Sequence, residues 1–266
     1  MVFIPYMKIS ACLVVYNEEK LIKRCLESIK GIVDEIIIVH DGPCNDETLK
    51  ISKKYTNRIF IRERIGEAEP HRPFCLNQAK GEWVLSIDAD EYLSSELRDK
   101  IPTLIKNNEL DGFNFLSTVY YKGKRVVRGP ISKSYKLMLF RRKSATISGI
   151  IHDWYKINGK VKDINLIVEH KPEIDMFSYR IFIKKDLKWA YLQAKRYIEE
   201  GQAKHNFLFY KIKAIFLFLF IFSYNLFFRL FFLNGILGIK AALLQGMYNF
   251  YVNWYIGDII IKKKST

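Results

Sequence analysis

Four short apolar runs alternate with helical patterns in the first third of the chain, and this alternation limits the fold more than any other feature. The runs are rich in Val, Ile and Leu and too short for helices, as buried strands are. They occupy residues 8–16, 35–39, 58–61 and 83–87. Because strands and helices alternate at this spacing, the sequence predicts a mostly parallel α/β sheet covered by helices.

The segments between these strands carry apolar residues at helical spacing. In the first of them the apolar positions recur between Leu21 and Ile29, with Asn17 as the predicted N-cap and Gly31 as the predicted end. Further helices are predicted over residues 46–54, 71–80 and 94–107.

After the fourth helix the pattern changes to strands alone. Residues 112–121 and 135–141 are predicted strands, and Asn158-Gly159 is a pair that favours a type I′ hairpin turn. We therefore expect a small antiparallel β portion after the parallel sheet. A charged amphipathic helix is then expected over residues 176–200.

The last part of the chain is strongly apolar and rich in phenylalanine. Residues 214–233 are long enough to span a bilayer, but Asn225 and Arg229 lie inside this stretch, where an arginine is costly. Basic residues flank it on both sides, which fits the positive-inside rule poorly for a single crossing. We therefore expect a pair of helices that lie in, or dip into, the cytoplasmic leaflet, in preference to a spanning helix. A buried helix pair in a soluble protein is the remaining alternative.

The charge of the chain is strongly positive, with 43 Lys and Arg against 28 Asp and Glu, a net +15. Such an excess indicates an anionic partner: nucleic acid, a phosphate-rich substrate or a membrane surface. The alternative is an ordinary lysine-rich surface. The sequence has no zinc-finger spacing, RNA-binding aromatic motif or long basic run, so we expect no nucleic acid partner.

The cysteines and the first residues bear on the cellular compartment. The four cysteines, Cys12, Cys25, Cys44 and Cys75, form no CxxC pair, so we expect free thiols in a reducing compartment, with no disulfide framework and no zinc site. Residues 1–8 lack the long apolar stretch of a signal peptide, and we therefore expect the catalytic part in the cytoplasm.

Two carboxylates stand directly after the fourth predicted strand, at Asp88 and Asp90. Two acids at i and i+2 on a tight loop can both bind one divalent cation, which would neutralise a diphosphate, and the small Ala89 lets a ligand approach closely. Asp-x-Asp is common in solvated turns. Its place at the end of a parallel strand, where α/β sheets bind ligands, favours the metal site.

Polar residues also follow the first two predicted strands, at residues 16–19 and at Asp41-Gly42. The carboxyl ends of parallel strands meet at one edge of the sheet, so we expect these clusters close to Asp88. A carboxylate at Asp41 can accept an N–H from a nucleobase, and the alternative is a turn residue before Gly42.

Three ordered segments resemble the family 2 glycosyltransferases of GT-A fold, and most of all the branch with lipopolysaccharide-core sugar transferases. They read SACLVVYNEE, IIIVHDGPCNDET and RPFCLNQAKGEWVLSIDADE. The match covers about residues 8–110 and extends more loosely to the segment SGIIHD and to the aromatic C-terminal helices, which resemble that branch's membrane-associated tail.

The resemblance implies an α/β fold of GT-A, Rossmann-like type: a mostly parallel sheet, a small antiparallel β portion, and C-terminal membrane-associated helices. Residues 1–110 would form the nucleotide-sugar-binding half of the GT-A domain, and residues 111–175 its acceptor-side half. Residues 176–266 would form the helical membrane-associated region.

The resemblance also implies roles at matching positions. The nucleotide-sugar site would be formed by Val15, Tyr16, Asn17, Glu19, Asp41, Arg72, Asp88, Ala89 and Asp90. Asp88 and Asp90 would bind Mg²⁺ or Mn²⁺, with His170 as a further candidate ligand. Asp153 would be the general base, where this branch usually has His-Glu, and His152 is a candidate for contact with the acceptor.

Some positions depart from the family pattern or have a structural alternative. His40 replaces the first acid of the usual Asp-Asp-Gly motif, and Pro73 stands where Asn is common, so the base and the sugar stay unassigned. Asp153 alternatively is a hairpin-edge residue beside Trp154, and a lone histidine is more often structural than a ligand.

The expected function is an inverting, metal-dependent glycosyltransferase at the cytoplasmic membrane face. It would move a sugar from a nucleoside diphosphate sugar, with a UDP-sugar favoured, to a glycan or glycolipid acceptor such as a lipid-linked saccharide or lipopolysaccharide core. One alternative is a nucleotidyltransferase, which needs a glycine-rich basic loop that residues 16–20 lack. Another is a non-catalytic membrane-bound binding module, which would keep the helices without Asp90 or Asp153.

Overall fold

The computed structural model of the chain describes residues 9–118, 120–121, 123–126, 133–150, 153–173 and 177–264. The chain divides into two compact units. The first comprises Met1–Val119 and Ser134–Glu173, and the second comprises Tyr120–Lys133 and Ile174–Thr266.

Twelve strands and eight α-helices are formed by the described residues. The strands are β1 Ile9–Val15, β2 Glu35–Asp41, β3 Ile59–Arg62, β4 Trp83–Ser86, β5 Glu91–Leu93, β6 Gly112–Thr118, β7 Tyr120–Tyr121, β8 Lys124–Arg125, β9 Lys133–Arg141, β10 Ala145–Thr146, β11 Lys156–Ile157 and β12 Val161–His170. The helices are α1 Ile22–Ile29, α2 Thr48–Ser52, α3 Arg72–Gln78, α4 Ser95–Leu104, α5 Tyr179–Ile181, α6 Leu187–Glu199, α7 Phe207–Ser223 and α8 Ile236–Lys264.

The first unit is built on an eight-stranded sheet in the order β3-β2-β1-β4-β9-β6-β12-β5. β1 pairs in parallel with β2 and β4, β2 with β3, and β6 with β12. β9 runs antiparallel to β4, and β5 antiparallel to β12. The small pair β10–β11 is also antiparallel. The predicted mostly parallel α/β fold with a small antiparallel portion is thus confirmed.

The strand β1 is buried along its whole length and separates two apolar layers. Leu13 and Val15 pack with α1 and α4 on one face, while Cys12 and Val14 pack with α3 on the other. Successive side chains of a strand point to opposite faces, so a central strand covered on both sides is apolar throughout. This explains why polar and apolar residues do not alternate in the first predicted strand.

The start of α1 differs from the prediction. Asn17 is not its N-cap, because the helix begins at Ile22. Asn17 has a φ of 49°, and its side chain accepts a hydrogen bond from the Asn45 backbone N–H at 3.0 Å. A turn intervenes, in which the Glu18 carbonyl accepts hydrogen bonds from Leu21 and Ile22. The asparagine therefore joins two loops at the sheet edge and does not cap the helix.

The predicted hairpin at Asn158-Gly159 is wrong. The strand before it, β11, pairs with β10, whereas the strand after it, β12, pairs with β6 and β5. Asn158 also lacks the positive φ that a type I′ turn requires. Asp111 holds the turn instead, by accepting hydrogen bonds from the Lys160 N–H at 3.0 Å and the Ser144 hydroxyl at 2.8 Å.

The second unit is mainly helical. A short π-helical segment, Phe182–Asp186, joins α5 to α6, and Gly201 lies just beyond the end of α6. α7 and α8 run antiparallel: Lys211 Nζ lies 2.5 Å from Asp258 Oδ1, and Gly246 packs against Phe218.

One segment of the second unit, Phe207–Phe228, is long and apolar enough to cross a membrane, with a mean hydropathy of 1.8 and only 11% of it buried. No other helix of the described residues meets that test. Arg229 follows this segment and does not interrupt it, contrary to the prediction. Its Nη1 atom lies 3.3 Å from Asn225 Oδ1, so the two polar side chains satisfy each other at the end of the helix.

A matched pair of isoleucines on neighbouring strands tests the core. Ile37 of β2 is fully buried, whereas Ile61 of β3 is 60% exposed. We expect Ile37→Ala to lower the free energy of unfolding by about 2–5 kcal/mol because it leaves a cavity, and Ile61→Ala to lower it by less than about 1 kcal/mol. Urea unfolding followed by the fluorescence of tryptophan checks this. Equal losses in the two variants would contradict the assigned burial.

Candidate active site

The loop after β4 carries Asp88, whose carboxylate is held by two basic side chains. Arg72 Nη2 lies 2.8 Å from Asp88 Oδ1, and Lys136 Nζ lies 2.7 Å from Asp88 Oδ2. Arg72, the first residue of α3, also donates to the Ser86 hydroxyl at 3.1 Å. Although burial opposes ionisation, these cations hold the pKa of Asp88 well below its usual range. Both oxygens of Asp88 are therefore already paired with protein cations.

Glu91 is the second carboxylate of this cluster and is 2% exposed. Its Oε1 atom lies 2.7 Å from Lys136 Nζ, and its Oε2 atom accepts the Asp88 backbone N–H at 3.0 Å. Burial raises the pKa of Glu91, and the charge of Lys136 opposes that rise. Lys136 reaches both acids because its strand, β9, runs beside β4.

Asp90 faces a different partner. Its Oδ2 atom lies 3.1 Å from His170 Nε2, and the two side chains are 27% and 23% exposed. The antiparallel pairing of β12 with β5 brings His170 here, and the Lys171 N–H donates to the Asp90 carbonyl at 2.9 Å. Burial lowers the pKa of His170, but the hydrogen bond and charge of Asp90 outweigh it and raise that pKa above its usual value.

The protein itself supplies few metal ligands at this edge. Within the described ranges, no three His, Cys, Asp or Glu side chains are grouped so that they could hold a metal ion. Asp90 and His170 together offer one oxygen and one nitrogen. An ion bound here would take its other ligands from substrate and water.

Asp41 ends β2, and its carboxylate accepts four hydrogen bonds from the protein. The donors are His71 Nε2 at 2.9 Å, the Ile65 N–H at 2.6 Å, the Gly66 N–H at 2.9 Å and the Arg64 guanidinium. Although burial opposes it, these hydrogen bonds and the Arg64 charge lower the pKa of Asp41. Gly42 lets the Arg64 loop approach, since with its φ of 90° an added Cβ would come within 2.8 Å of Arg64. A base contact through Asp41, which stays a prediction, requires Arg64 to release it.

The polar cluster after β1 lies beside this loop. The Arg64 guanidinium stands 3.4 Å from the centroid of the Tyr16 ring. The Asn17 N–H donates to His40 Nε2 at 3.3 Å, and His40 Nδ1 lies 2.7 Å from the Gly42 carbonyl. The tautomer of His40 that carries a proton on Nδ1 satisfies both contacts. His40 thus links the ends of β1 and β2.

Three further residues of the predicted donor site are engaged within the protein. Val15 and Ala89 are 3% and 4% exposed and belong to the main apolar core. The Glu19 carboxylate accepts the Glu47 N–H at 3.0 Å, and the Glu19 N–H donates to Asp46 at 3.1 Å. These contacts fix the loop after β1 to the start of α2.

Asp153 lies in a turn that packs against the start of α3. The Ser148 hydroxyl donates to Asp153 Oδ2 at 2.5 Å, and Lys156 Nζ lies 3.4 Å from Oδ1. The Ser148 hydrogen bond and the Lys156 charge lower the pKa of Asp153, so it is ionised at neutral pH. Gly149 makes this packing possible, because with its φ of 75° an added Cβ would come within 2.9 Å of Pro73.

Trp154 connects this turn with the charged cluster. Its ring centroid lies 5.5 Å from the Arg72 guanidinium and 5.6 Å from Lys136 Nζ, and the side chain is 49% exposed. Asp153 is therefore one residue away from a side chain that contacts both cations of the cluster. His152 lies outside the described residues, and its acceptor role stays a prediction.

Comparison with known proteins identifies the family. The family described as glycosyl transferase family 2 matches residues 10–154, more than half of the chain. This chain belongs to glycosyl transferase family 2. It is 29% identical over 215 residues to an uncharacterized glycosyltransferase of Rickettsia typhi, a match that covers 75% of this chain and 71% of the relative.

Two other similar proteins extend the comparison of this family 2 glycosyltransferase. The lipopolysaccharide core biosynthesis glycosyltransferase LpsC of Rhizobium meliloti is 27% identical over 243 residues, covering 88% of this chain and 84% of that protein. The structure of S. aureus TarS 1-349 in complex with UDP-GlcNAc is 16% identical, with a TM-score of 0.49, and covers 97% of this chain and 92% of that one. Membership of glycosyl transferase family 2, together with the mostly parallel sheet, confirms the GT-A fold and the glycosyltransferase class expected from the sequence.

The candidate site includes residues to which the sequence analysis gave no role. Lys136, Glu91 and Trp154 belong to the charged cluster, and Arg64 and His71 bind Asp41. Glu91 could have been found, because it adjoins the Asp88-Ala89-Asp90 run. Nothing in the local pattern marks Lys136, one of many lysines, until its strand is placed beside β4.

The acidic groups at this edge also raise the pKa of Glu18. Burial, together with the charges of Asp90 and Asp46, raises it from an ordinary 4.5 to about 7. Between pH 4.5 and about pH 7, the folded protein keeps a proton on Glu18 that the unfolded chain has already lost. The contribution of Glu18 to stability is therefore full below pH 4.5 and is lost as the pH rises through 7.

We expect Glu18→Gln to reduce the loss of stability that the metal-free protein shows between pH 5 and pH 8. Part of the loss of stability will remain in this variant, because the raised pKa of His170 also makes stability fall as the pH rises. Urea unfolding at both pH values in the presence of a chelator measures this. Glu96→Gln, at an exposed glutamate of α4, serves as the control and should keep the full loss. An unchanged loss in Glu18→Gln would contradict the raised pKa.

Proposed function

We propose that this chain transfers a sugar from a nucleoside diphosphate sugar to a lipid-linked saccharide or a lipopolysaccharide core at the cytoplasmic face of a membrane, with inversion. The observation that carries the proposal is the set of charges after β4, where Arg72 and Lys136 hold Asp88 and where Asp90 pairs with His170. Similarity to LpsC, a lipopolysaccharide core glycosyltransferase, supports the acceptor class.

The donor would bind along the carboxyl ends of β1, β2 and β4. Arg72 and Lys136 carry the positive charges that a diphosphate needs, and both are already fixed by Asp88. The Tyr16 ring is the platform for the base, on the face where the Arg64 guanidinium now stacks. When Arg64 leaves that face, it also frees one acceptor position on Asp41 Oδ2 for the base, while that oxygen keeps the hydrogen bond from the Gly66 N–H.

Asp90 and His170 fit a divalent cation. Two ligands bound to one ion at about 2.1 Å and at right angles lie about 3.0 Å apart, and the Asp90 and His170 atoms are 3.1 Å apart. Mg²⁺ or Mn²⁺ bound there would neutralise charge on the leaving diphosphate. Asp88 would serve this site indirectly, by orienting Arg72 and Lys136 and by fixing the loop that carries Asp90.

Asp153 would take the proton of the acceptor hydroxyl. It is ionised at neutral pH, and Ser148 orients its carboxylate through a 2.5 Å hydrogen bond. Attack by the acceptor from the side opposite the leaving diphosphate inverts the anomeric carbon. Trp154, which lies over Arg72 and Lys136, would shield the reacting bond from water.

Membrane association would come from the antiparallel helices α7 and α8. Most apolar side chains of α7 are exposed, which a soluble surface rarely tolerates over such a length. The Lys211–Asp258 pair places the start of α7 beside the end of α8, so the lysines of these two ends lie on the same side. A helix pair that dips into one leaflet from that side keeps these lysines in the cytoplasm, as the positive-inside rule expects.

Removal of either proposed metal ligand tests the donor site. We expect Asp90→Ala and His170→Ala to abolish sugar transfer and the thermal stabilisation that nucleoside diphosphates give with Mn²⁺ or Mg²⁺. Differential scanning fluorimetry over UDP, GDP and CDP, with and without metal, measures this, beginning with UDP. Glu96→Ala, on an exposed turn of α4, is the control. Normal metal-dependent stabilisation in Asp90→Ala would refute the site.

Substitution of the proposed base separates donor binding from turnover. We expect Asp153→Asn to bind the nucleoside diphosphate as the wild type does, because the side chain keeps its shape and the donor site is intact. Its turnover should fall by about 10²–10⁴-fold, the range that one general base supplies. Single-turnover transfer from a radiolabelled donor measures this. Ser148→Ala, which removes only the orienting hydroxyl, should lose less, and unchanged turnover in Asp153→Asn would rule it out as the base.

A further inference from the structure

A cavity of about 390 Å³ lies in the second unit, between the end of α6 and the start of α7. Gly201, with a φ of 70°, turns the chain after α6, and Asn206 caps α7 by accepting the Phe209 N–H at 3.0 Å. The buried Tyr210 and the half-buried Tyr197 form its aromatic side, with ring centroids 6.4 Å apart. The pocket thus has an aromatic side that belongs to the packed helical core, and an exposed side formed by Lys204, His205 and Phe209.

The pocket is positively charged. Lys204, His205 and Lys213 line it, and neither lysine has an ion-pair partner among the described residues. The acidic side chains of the surrounding helices are used by other cations: Glu199 by Lys195, Glu200 by Arg196 and Asp258 by Lys211. The first turn of α7 adds backbone N–H groups that are not paired within the helix. An anion is therefore the complementary ligand.

An apolar surface continues from this pocket along α7 and along the π-helical segment Tyr224–Phe228 that follows it. Phe216, Phe220, Tyr224 and Phe228 are exposed and follow one another four residues apart, with ring centroids 5.9–6.0 Å apart. Phe216 stands one turn beyond Lys213, so the charged pocket and this row of rings are consecutive along the helix. A ligand that matches both parts has an anionic head and an apolar tail, as membrane phospholipids do.

We propose that this pocket binds the phosphate of an anionic membrane lipid, with Lys204 and Lys213 at the phosphate and the acyl chains along the exposed rings of α7. The proposal rests on the proposed membrane association and adds to it a specific site. If the ligand were free phosphate, it would contact only the charged part of the pocket. If the membrane were attracted by a general basic surface, every lysine of these helices would contribute equally to binding.

Liposome flotation of the full chain tests the site. Vesicles of phosphatidylcholine alone are compared with vesicles that also contain phosphatidylglycerol. We expect Lys204→Gln/Lys213→Gln to weaken binding to the anionic vesicles by tenfold or more, on the order expected for two lysines at a lipid phosphate. Lys23→Gln/Lys184→Gln removes the same charge at exposed positions outside the pocket and should weaken binding to the anionic vesicles by less than about threefold. Equal losses in the two variants would overturn the pocket.

Calorimetric titration with dihexanoyl-phosphatidylglycerol, below its micelle concentration, separates the pocket from membrane association. If the wild type binds this lipid and Lys204→Gln/Lys213→Gln does not, the pocket is supported. This holds even if the wild type does not float with vesicles, a result that would refute only the membrane association. No binding of the short-chain lipid, or equal binding of inorganic phosphate, overturns the lipid site. Nucleoside diphosphate stabilisation, measured in parallel, shows that the variants are folded.

Discussion

The pairing of two cations with two carboxylates, each buried or half-buried, organises the edge of the sheet where the donor would bind. Arg72 comes from α3, Lys136 from β9, Asp88 from the loop after β4, and Glu91 from the start of β5. Charges taken out of water are costly unless each has a partner, so no member can be lost without leaving an uncompensated charge. The cluster therefore joins one helix, two antiparallel strands and one loop into a single arrangement.

The two aspartates of the loop have different partners. Asp88 points to Arg72 and Lys136, so its oxygens neutralise protein charges, whereas Asp90 meets His170 and stays partly exposed. In the sequence both acids are equivalent metal ligands two residues apart. Because both oxygens of Asp88 are already paired, the proposed metal site uses Asp90 in preference to Asp88. Asp88 would then contribute by holding the loop that carries Asp90.

The sequence could predict the parts of this site that follow from local pattern. Buried strands and the polar residues that end them were readable, because a parallel sheet gathers its strand ends at one edge. Lys136 and His170 were harder, since the first meets Asp88 only through β9 and the second meets Asp90 only through β12. Asn17 and Asn158 misled for the opposite reason: each has a strong local preference that contacts with distant residues override.

In the helical region, a contact between distant residues changes what the distribution of lysines implies about the membrane. In the sequence, lysines before and after one apolar stretch argue against a single crossing. The Lys211–Asp258 contact folds that stretch back, so that the lysines near Lys211 and those after Asp258 share one end of the helix pair. Arg229 closes the apolar helix at its other end, where Asn225 satisfies it. The charges then mark the two ends of a helix pair, and one of these ends carries the cationic pocket at the start of the row of exposed rings.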